Sequence, residues 1–332
     1  MGRKPYILVV RQLGGIGDVL MLSCVFRGLR EKFPKHTLKC VTAEVYLAGA
    51  LMDLVTHNPL IDEVIAIEPW DMTGKRTREV WNRYYAGSSP LEDELLWTMA
   101  DEAYDLNTPC VEYEWEAMKN GGIKKPRYQI WCDAAGVVPS SYAPIYRVRP
   151  EERARAESYA EEHWPKGKPV VGLALTSCDK RRAMPVGKLQ DIARGLTGRG
   201  LHVVTIDPTA RLDGVDSIVG KRISELMALI ERMDVVISPD SGVLHMAGTL
   251  GVPVVGVFGP TDQSMRMGNY LGSATDSKYL VDCAYCWYEY PCLGSSGNGH
   301  KPYECISLIS ADVIVEETVR WATQRTEYRR KV

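Results

Sequence analysis

The stretch YILVVRQLGGIGDV, from Tyr6 to Val19, decides the fold of this chain. Its first five residues form a continuous apolar run, which is typical of a strand buried on both faces of a parallel sheet. The glycines that follow allow a tight turn, and residues 19–33 then repeat apolar side chains at helical spacing until Pro34. The stretch therefore predicts a strand, a glycine turn and a helix, which together open a βαβ unit.

The same alternation continues outward along the chain and predicts an α/β protein. In the first half we expect a helix at residues 43–52 and strands at residues 38–41 and 63–67, whereas residues 70–130 are too mixed in character to place elements. In the second half the predicted strands are residues 169–175, 202–206, 234–238 and 252–258, and the predicted helices are residues 151–163, 186–196, 224–231, 242–250 and 311–324.

This pattern predicts two Rossmann-like domains, which is the number that a length of 332 residues favours. We place the first at residues 1–150 and the second at residues 151–310, with a cysteine-rich segment at 283–305. Residues 311–332 form a C-terminal helix, and packing of this helix back onto the first domain is left open. The two sheets are expected to face each other across a cleft at the carboxyl ends of their strands, where ligands bind in such folds.

The composition narrows the class of protein. A formal net charge of -2 gives no electrostatic reason to expect a nucleic-acid binder, although it leaves room for a local basic patch. No apolar run approaches the length of a membrane span, and the N-terminus does not have the pattern of a signal peptide. Five of the nine cysteines are scattered, as in a reducing compartment. We therefore expect a cytoplasmic protein.

The glycine turn after the first strand offers the first candidate site. Gly14, Gly15 and Gly17 would let a ligand approach the backbone closely, and Asp18 stands where a helix begins. Asp18 could be a helix-capping residue or a carboxylate that takes a proton from a hydroxyl group, and the two roles are compatible. The turn lacks the Lys and Ser or Thr of a phosphate loop and the third glycine of a dinucleotide fingerprint.

A second candidate site follows the predicted strand at 234–238. Asp240, Ser241 and Gly242 form a turn into a helix, whose first N–H groups and dipole suit an anion such as a pyrophosphate. Asp240 could accept hydrogen bonds from ribose or sugar hydroxyls. His245 lies one turn along the same helix, either as a ligand-binding residue or as an internally bonded core residue.

Two further polar turns are expected at the same sheet edge. One holds Gly259 and Thr261, directly after the strand at 252–258. The other follows the strand at 169–175; it contains Thr176 and three consecutive cations, of which Lys180 and Arg182 could neutralise a leaving diphosphate. The convergence of three polar turns on one edge favours a binding site over three unrelated loops.

Four cysteines lie close together in sequence between the last predicted strand and the last helix. Their spacing, C-x2-C-x5-C-x12-C, could close a tetrahedral zinc site or, less favourably, hold an iron–sulfur cluster. A local structural contact and a redox pair within C-x2-C are the alternatives. Any metal held by all four sulfurs would be structural. The residues concerned are Cys283, Cys286, Cys292 and Cys305.

These motifs resemble the heptosyltransferase-like enzymes of glycosyltransferase family 9, which have the GT-B fold. The matching features are the Gly-Asp at residues 17–18, the Asp-Ser-Gly-x-x-His at 240–245 and the Phe-Gly-Pro-Thr at 258–261, in the family's order. The chain departs from the family where Lys-x-Trp-Pro is usual, because residues 182–185 read Arg-Ala-Met-Pro. The sugar and the acceptor are therefore less well indicated than the type of reaction.

The resemblance implies an inverting, metal-independent transfer of heptose or a hexose-like sugar from a nucleotide-diphosphate sugar. ADP-sugar is the favoured donor, held by the segment at Asp240, and Asp18 would be the general base. The acceptor would be a hydroxyl of a glycan or glycolipid, as in lipopolysaccharide biosynthesis, with peripheral contact to the inner membrane; a nucleic-acid acceptor stays open. The alternatives are a nucleotide-sugar epimerase and a non-catalytic sugar-nucleotide binder.

Overall fold

The chain divides into two compact units, Met1–Arg147 and Val148–Val332. The structure is a computed structural model that describes residues 5–11, 14–43, 50–67, 99–120, 122–177, 179–207, 211–286, 292 and 304–331. Part of the predicted helix at 43–52 and most of the irregular region at 70–130 lie outside these residues.

The first unit is built on a four-stranded parallel sheet in the order β3-β2-β1-β4. Its central strand is β1, whose five residues are all buried, as the continuous apolar run predicts. The edge strand β4 reads Glu-Ala-Tyr-Asp and is only partly buried, so it carries no apolar run by which the sequence could reveal it. The strands are β1 (Tyr6–Val10), β2 (Thr37–Ala43), β3 (Glu63–Ile67) and β4 (Glu102–Asp105).

Four helices are described in the first unit, and the longest, α1, packs against α4. Close packing is visible where the Sγ atoms of Cys24 and Cys132 lie 3.5 Å apart. Trp131 of α4 is fully buried, and burial of a side chain of this size contributes about 1.5–3 kcal/mol. The helices are α1 (Ile16–Lys32), α2 (Ala50–Thr56), α3 (Pro109–Lys119) and α4 (Arg127–Ala134).

The second unit has a six-stranded parallel sheet in the order β10-β9-β8-β5-β6-β7. The order in which the strands are added reverses at β5: β6 and β7 follow on one side of it, and β8, β9 and β10 on the other. This is the arrangement of a doubly wound fold, in which ligands bind beyond the carboxyl ends of the strands. Strands β5, β8 and β9 are completely buried. The strands are β5 (Val170–Ala174), β6 (His202–Ile206), β7 (Asp216–Ile218), β8 (Val235–Pro239), β9 (Val254–Phe258) and β10 (Gly272–Asp276).

The helices of the second unit cover this sheet. The C-terminal helix α10 packs against α6 and against strands β8, β9 and β10, and its Ile314, Val315 and Ala322 belong to the core. This helix is therefore an integral part of the second unit. The helices are α5 (Pro150–His163), α6 (Val186–Gly198), α7 (Ile223–Glu231), α8 (Gly242–Thr249), α9 (Ser264–Met267) and α10 (Ala311–Lys331), with one-turn 3-10 helices at Lys180–Arg182 and Cys305–Leu308.

The predicted fold class is confirmed: the chain is α/β with two parallel sheets. The elements that the sequence did not predict are short or poor in apolar residues, such as β7 with three residues and β10 with the sequence Gly-Ser-Ala-Thr-Asp. Helix α1 begins three residues earlier than predicted, which places Asp18 inside its first turn. Among the described residues, none of the helices combines the length and the apolar character needed to cross a bilayer.

Candidate active site

Asp18 lies in the first turn of α1, immediately after the glycine turn. One carboxylate oxygen, Oδ2, accepts a hydrogen bond of 3.0 Å from the backbone N–H of Gly15. This contact satisfies one of the N–H groups that a helix start leaves without a helical partner. Asp18 therefore has the capping contact that its position predicts, made backward from within the helix.

The carboxylate of Asp18 is also held by two arginines from distant parts of the chain. Arg127 donates from Nη1 to Oδ1 at 2.7 Å, and Nη2 of Arg11 lies 3.9 Å from Oδ2. The other side of Arg127 is bound by Glu114, which receives hydrogen bonds of 2.6 Å from Nε and 2.7 Å from Nη2. Arg127 thus bridges two carboxylates, and Asp18 meets only one of its nitrogens.

These charges determine the protonation state of Asp18. Burial alone would raise the pKa of its carboxyl group, but the guanidinium groups of Arg127 and Arg11, with the hydrogen bonds from Arg127 and Gly15, lower it well below its usual range. The side chain is 16% exposed, so a ligand can reach it. Asp18 is therefore an ionised, partly accessible carboxylate that can accept a proton only when its ion pairs adjust.

Arg11 follows β1 directly and is fixed by the backbone around it. Its Nη1 donates to the carbonyl oxygens of Leu106 and Asn107 at 2.7 and 3.1 Å, and its guanidinium carbon lies 5.0 Å from the ring centroid of Trp131. Gly14 has a φ of +123°, and a Cβ atom there would lie 2.2 Å from Arg11 Nη2. Only glycine fits at this point of the turn.

The other two glycines of the turn play different parts. Gly15 has an extended conformation, with φ of -76°, and caps α1, whereas Gly17 is buried within the helix. The structure thus assigns the close backbone approach to Gly14 alone, and the approach is to a side chain of the protein itself.

In the second unit, Asp240 is the centre of a buried ion cluster between β8 and α8. Its Oδ2 lies 3.3 Å from Arg182 Nη1 and 3.3 Å from Arg266 Nε. Arg182 also donates from Nη1 to the backbone carbonyl of Asp240 at 2.6 Å, and the hydroxyl of Ser177 donates to the same oxygen at 3.1 Å. The carboxylate is 4% exposed, and the two arginines lie against it.

Two arginines, Arg182 and Arg266, lie against the carboxylate of Asp240. Burial would raise the pKa of Asp240, but Arg266, His245 and Arg182 lower it well below its usual range, so the carboxylate is ionised. Two guanidinium groups therefore share one negative charge at the start of α8, where the helix dipole adds further positive potential. Ser241, the residue before this helix, bonds through its hydroxyl to that of Ser238 at 2.9 Å. The start of α8, at Gly242, is suited to an anionic ligand.

His245 is buried, and each of its two ring nitrogens faces a polar group. Its Nδ1 lies 2.7 Å from the hydroxyl of Tyr270, and its Nε2 lies 3.8 Å from Asp240 Oδ1. The ring of Tyr270 packs on Gly248, where a Cβ atom would lie 2.3 Å from the ring. His245 is thus a core residue that links Tyr270 to Asp240.

The turns after β5 and β9 complete this edge of the sheet. Thr176 bonds through its hydroxyl to the carboxylate of Asp207, after β6, and Arg181 forms an ion pair of 2.5 Å with Asp179. Arg182 is therefore the cation of this turn that reaches the cluster at Asp240, whereas the side chain of Lys180 lies outside the described residues.

Gly259 and Thr261 follow β9. A Cβ atom at Gly259 would lie 2.7 Å from the Sγ atom of Cys305, so this glycine lets the cysteine segment approach the strand. The Oγ1 atom of Thr261 is buried and has no hydrogen-bond partner among the described residues. Thr261 therefore offers a polar atom to a ligand, whereas Gly259 serves packing.

The four clustered cysteines influence one another electrostatically. Burial, together with the neighbouring sulfurs of Cys286, Cys283 and Cys292, raises the pKa of Cys305 to about 11. Burial likewise raises the pKa of Cys283, as do Cys286 and Cys292. Within the described part of the chain, however, no three His, Cys, Asp or Glu side chains are arranged to hold a metal ion.

Sequence reasoning missed the arginines and their partners. Arg11, Arg127 and Glu114 act on Asp18, and Arg266 and Tyr270 act on the motif at Asp240. For Arg11, the signal was available, because a charged residue directly after a buried strand lies at the ligand-binding edge. Arg127 and Glu114 are about a hundred residues away from Asp18 in sequence, and nothing local links them.

Comparison with known proteins finds similarity to one family over part of the chain. Residues 128–270 match the family model described as glycosyltransferase family 9 (heptosyltransferase). A stretch of 43 residues is 49% identical to the lipopolysaccharide core heptosyltransferase OpsX of Haemophilus influenzae. That match spans 13% of this chain and 12% of the length of OpsX.

Solved structures are similar over almost the whole chain. A glycosyl transferase family 9 protein from Veillonella parvula has a TM-score of 0.69 at 16% identity and covers 96% of this chain and 97% of its own. ADP-heptose lipopolysaccharide heptosyltransferase II of E. coli has a TM-score of 0.66 at 16% identity, with 97% and 99% covered.

A third similar structure is the dodecameric iron-containing heptosyltransferase TibC of enterotoxigenic E. coli, in complex with ADP-D-β-D-heptose. Its TM-score is 0.63 at 14% identity, with 97% of this chain and 78% of TibC covered. At such identities the likeness shows the fold that this chain shares with these proteins. Within that fold, residues 128–270 are similar to the model of glycosyltransferase family 9 (heptosyltransferase).

Proposed function

We propose that this protein transfers a heptose from ADP-heptose to a hydroxyl of a glycan or glycolipid, with inversion at the anomeric carbon. The observation that carries the proposal is the buried cluster at the start of α8, where Arg182 and Arg266 share the single carboxylate of Asp240. The two guanidinium groups and the positive end of the helix dipole at the start of α8 are complementary to a diphosphate. The ADP-heptose bound to the structurally similar TibC supports this donor.

The donor would be held by the second unit. Its diphosphate would bind at Ser241 and Gly242, next to Arg182, and the unpartnered hydroxyl of Thr261 would donate to a donor oxygen. Asp240 and His245 would keep Arg182 and the start of α8 in place. We propose that these groups offset the charge of the departing ADP, so that the transfer needs no metal ion.

The acceptor hydroxyl would give its proton to Asp18. As the acceptor oxygen forms its bond to the anomeric carbon, the bond from that carbon to the phosphate oxygen of ADP breaks. The products are the extended glycan, ADP and a proton, which Asp18 receives and passes to solvent. The carboxylate is ionised and partly exposed, and it accepts this proton as its ion pairs with Arg127 and Arg11 adjust.

We also propose where this reaction takes place. The scattered cysteines favour a reducing compartment, and a lipopolysaccharide-core acceptor would be a glycolipid. The protein would therefore work in the cytoplasm, in peripheral contact with the inner membrane.

We propose a structural metal at the cysteine cluster, apart from the reaction. Four thiols fit zinc or an iron–sulfur cluster in their chemistry, and the mutual effect of these four thiols on their pKa values shows that they lie near one another. The similar TibC is iron-containing, so iron is measured together with zinc. Elemental analysis should find about one equivalent of metal, lost in Cys286→Ser and retained in the control Cys40→Ser; purified protein without metal contradicts this proposal.

Donor binding is tested by calorimetric titration with ADP-, UDP-, GDP- and dTDP-sugars. We expect preference for ADP-heptose, and Arg182→Gln should weaken its binding by about 10- to 100-fold, since a charge-assisted bond contributes about 1.5–3 kcal/mol. The control is Arg181→Gln, which removes the adjacent charge that pairs with Asp179. Equal affinities of both variants for the donor would remove Arg182 from the donor site.

Transfer is tested with radiolabelled ADP-heptose and lipopolysaccharide-core acceptors. Asp18→Asn should bind the donor nearly as tightly as wild type, with turnover lower by about 10²–10⁴-fold, the usual contribution of a general base. Unchanged turnover would exclude Asp18 as the base. Isomerised donor without transfer would indicate an epimerase, and retention without turnover would indicate a binding protein; either result overturns the proposed function.

A further inference from the structure

Glu114, Arg127 and Asp18 form a series of ion pairs in the first unit. Of these three residues, only Asp18 has a role in the proposed reaction. The three side chains come from α3, α4 and α1, and they are bonded in series by contacts of 2.6 to 2.7 Å. Glu114 is the least exposed of the three side chains, at 10%, compared with 22% for Arg127 and 16% for Asp18. The end at Glu114 is therefore the more buried one, and the end at Asp18 carries the carboxylate that can meet an acceptor.

The geometry at Arg127 is that of a directed contact. A guanidinium group is planar, and the two bonds that Glu114 accepts, from Nε and Nη2, fix its plane. Nη1 then has one direction left to point, and it meets Asp18 Oδ1 at 2.7 Å. Gly15 holds the other oxygen of Asp18 at 3.0 Å. The carboxylate is thus oriented by one contact at each oxygen.

We propose that Arg127, aimed by Glu114, is a positioning residue that orients the carboxylate of Asp18 toward the acceptor hydroxyl. This inference rests on the proposed role of Asp18 as the general base. Arg127 does not touch the reacting atoms. It fixes the direction of the proton-accepting oxygen and keeps it ionised, and Glu114 acts one step further away through Arg127.

Position and charge make separate contributions, and the chain allows them to be separated. The charged or titratable groups that reach Asp18 and Arg127 from the described elements around them are Arg11 after β1 and Cys110 and Glu114 of α3. Removing the charge of Arg127 leaves burial opposed by Arg11 and by the hydrogen bond from Gly15, so the pKa of Asp18 should rise. A lysine at position 127 keeps a positive charge but lacks the planar fork that Glu114 fixes.

The test compares Arg127→Met and Arg127→Lys by pH-dependent kinetics. Wild type should keep its kcat as pH falls from about 7 to about 4, whereas Arg127→Met should lose part of it toward the lower end of this range, because an arginine neighbour lowers an Asp pKa by about 1–3 units. Arg127→Lys should keep the wild-type pH profile with a kcat lower by about 10- to 100-fold, the cost of a small misplacement. The KM for ADP-heptose should be unchanged in both variants. Glu114→Gln should also lower kcat.

The matched control is Lys125→Gln, which removes a positive charge two residues away, in an exposed pair with Asp133. It should leave both kcat and the pH profile as in wild type. The inference is overturned if Arg127→Met has the kcat and pH profile of wild type, or if both variants lose activity only because they unfold, as circular dichroism would show.

A second measurement does not depend on turnover. The carboxyl 13C signal of Asp18, identified by its loss in Asp18→Asn, is titrated by NMR in wild type and in Arg127→Met. The pKa of Asp18 should be higher by about 1–3 units in the variant. A shifted pKa without any sugar transfer would contradict the proposed function and leave the placement of Arg127 intact, whereas an unshifted pKa in an active enzyme would overturn the inference.

Discussion

At the scale of single residues, the glycine turn holds Arg11 beside Asp18, and this makes Gly14 the most informative position. A Cβ atom at Gly14 would overlap Nη2 of Arg11, and the φ of +123° is a conformation that other residues rarely adopt. Gly14→Ala should therefore move Arg11, lower the free energy of unfolding by about 1–3 kcal/mol and reduce turnover by about 10- to 100-fold. Urea unfolding and the transfer assay measure the two effects.

The control for this change is Gly136→Ala. Gly136 also has a positive φ, +60°, but no atom lies within 4 Å of its virtual Cβ. Its replacement should cost a similar amount of stability, since the backbone strain is of the same kind, with turnover unaffected. Equal turnover in the two variants would show that the contact between Gly14 and Arg11 has no bearing on Asp18.

Individual residues also show the limits of what the sequence could reveal. Asp18 and Asp240 were identifiable because each lies between a predicted strand and the helix that follows it. His245 was identifiable because it lies one turn along the helix after Asp240. The arginine partners of the two carboxylates were not, because Arg127 is 109 residues from Asp18 and Arg266 is 26 residues from Asp240. The sequence motifs therefore indicated the positions of the two carboxylates. They did not indicate that arginines of the protein itself form ion pairs with them.

At the scale of elements, the packing of Tyr270 on α8 links the candidate donor site to the turn between α9 and β10. The ring of Tyr270 occupies the space that a side chain at Gly248 would fill, with a virtual Cβ 2.3 Å from the ring. Gly248→Ala should displace Tyr270, break its contact with His245 and destabilise the protein by about 1–3 kcal/mol through overpacking. Weaker binding of ADP should accompany the loss of stability.

The control for Gly248→Ala is Gly198→Ala, in helix α6. Gly198 ends α6, it is exposed, and no atom lies within 4 Å of its virtual Cβ. Gly198→Ala should leave ADP binding unchanged and leave stability unchanged or higher by up to about 1 kcal/mol, because alanine is the better helix former. If Gly248→Ala behaved like Gly198→Ala in thermal unfolding and ADP titration, Tyr270 would not couple to the site.

Periodicity predicted the elements that carry strong apolar patterns and missed those that do not. Strands β1, β5, β8 and β9 read as continuous apolar runs because they are buried on both faces. Helix α4 escaped prediction, although Trp131 and Cys132 are buried, because its eight residues are too few to show a period. This omission hid Arg127, its first residue.

At the scale of the whole molecule, the fold is shared with distant proteins and the side chains determine the chemistry. Proteins with 14–16% identity to this chain share its fold with TM-scores of 0.63–0.69. The α/β architecture places the ends of parallel strands at one edge in each unit, and any ligand chemistry depends on the groups found there. In this chain those groups are a carboxylate between two arginines in the first unit and an arginine pair around a carboxylate in the second.

This division of groups leads to a prediction about the separate units. The contacts of the candidate donor site lie within Val148–Val332, which has its own hydrophobic core around β5, β8 and β9. A fragment of residues 148–332 should therefore fold cooperatively, as units with their own core do, and bind ADP with an affinity within about tenfold of the full chain. It should transfer no sugar, because Asp18 belongs to the other unit. Circular dichroism establishes whether the fragment is folded and calorimetry measures its ADP affinity. A folded fragment that does not bind ADP would mean that the first unit supplies part of the donor site, and the assignment of the diphosphate to the start of α8 would then be incomplete.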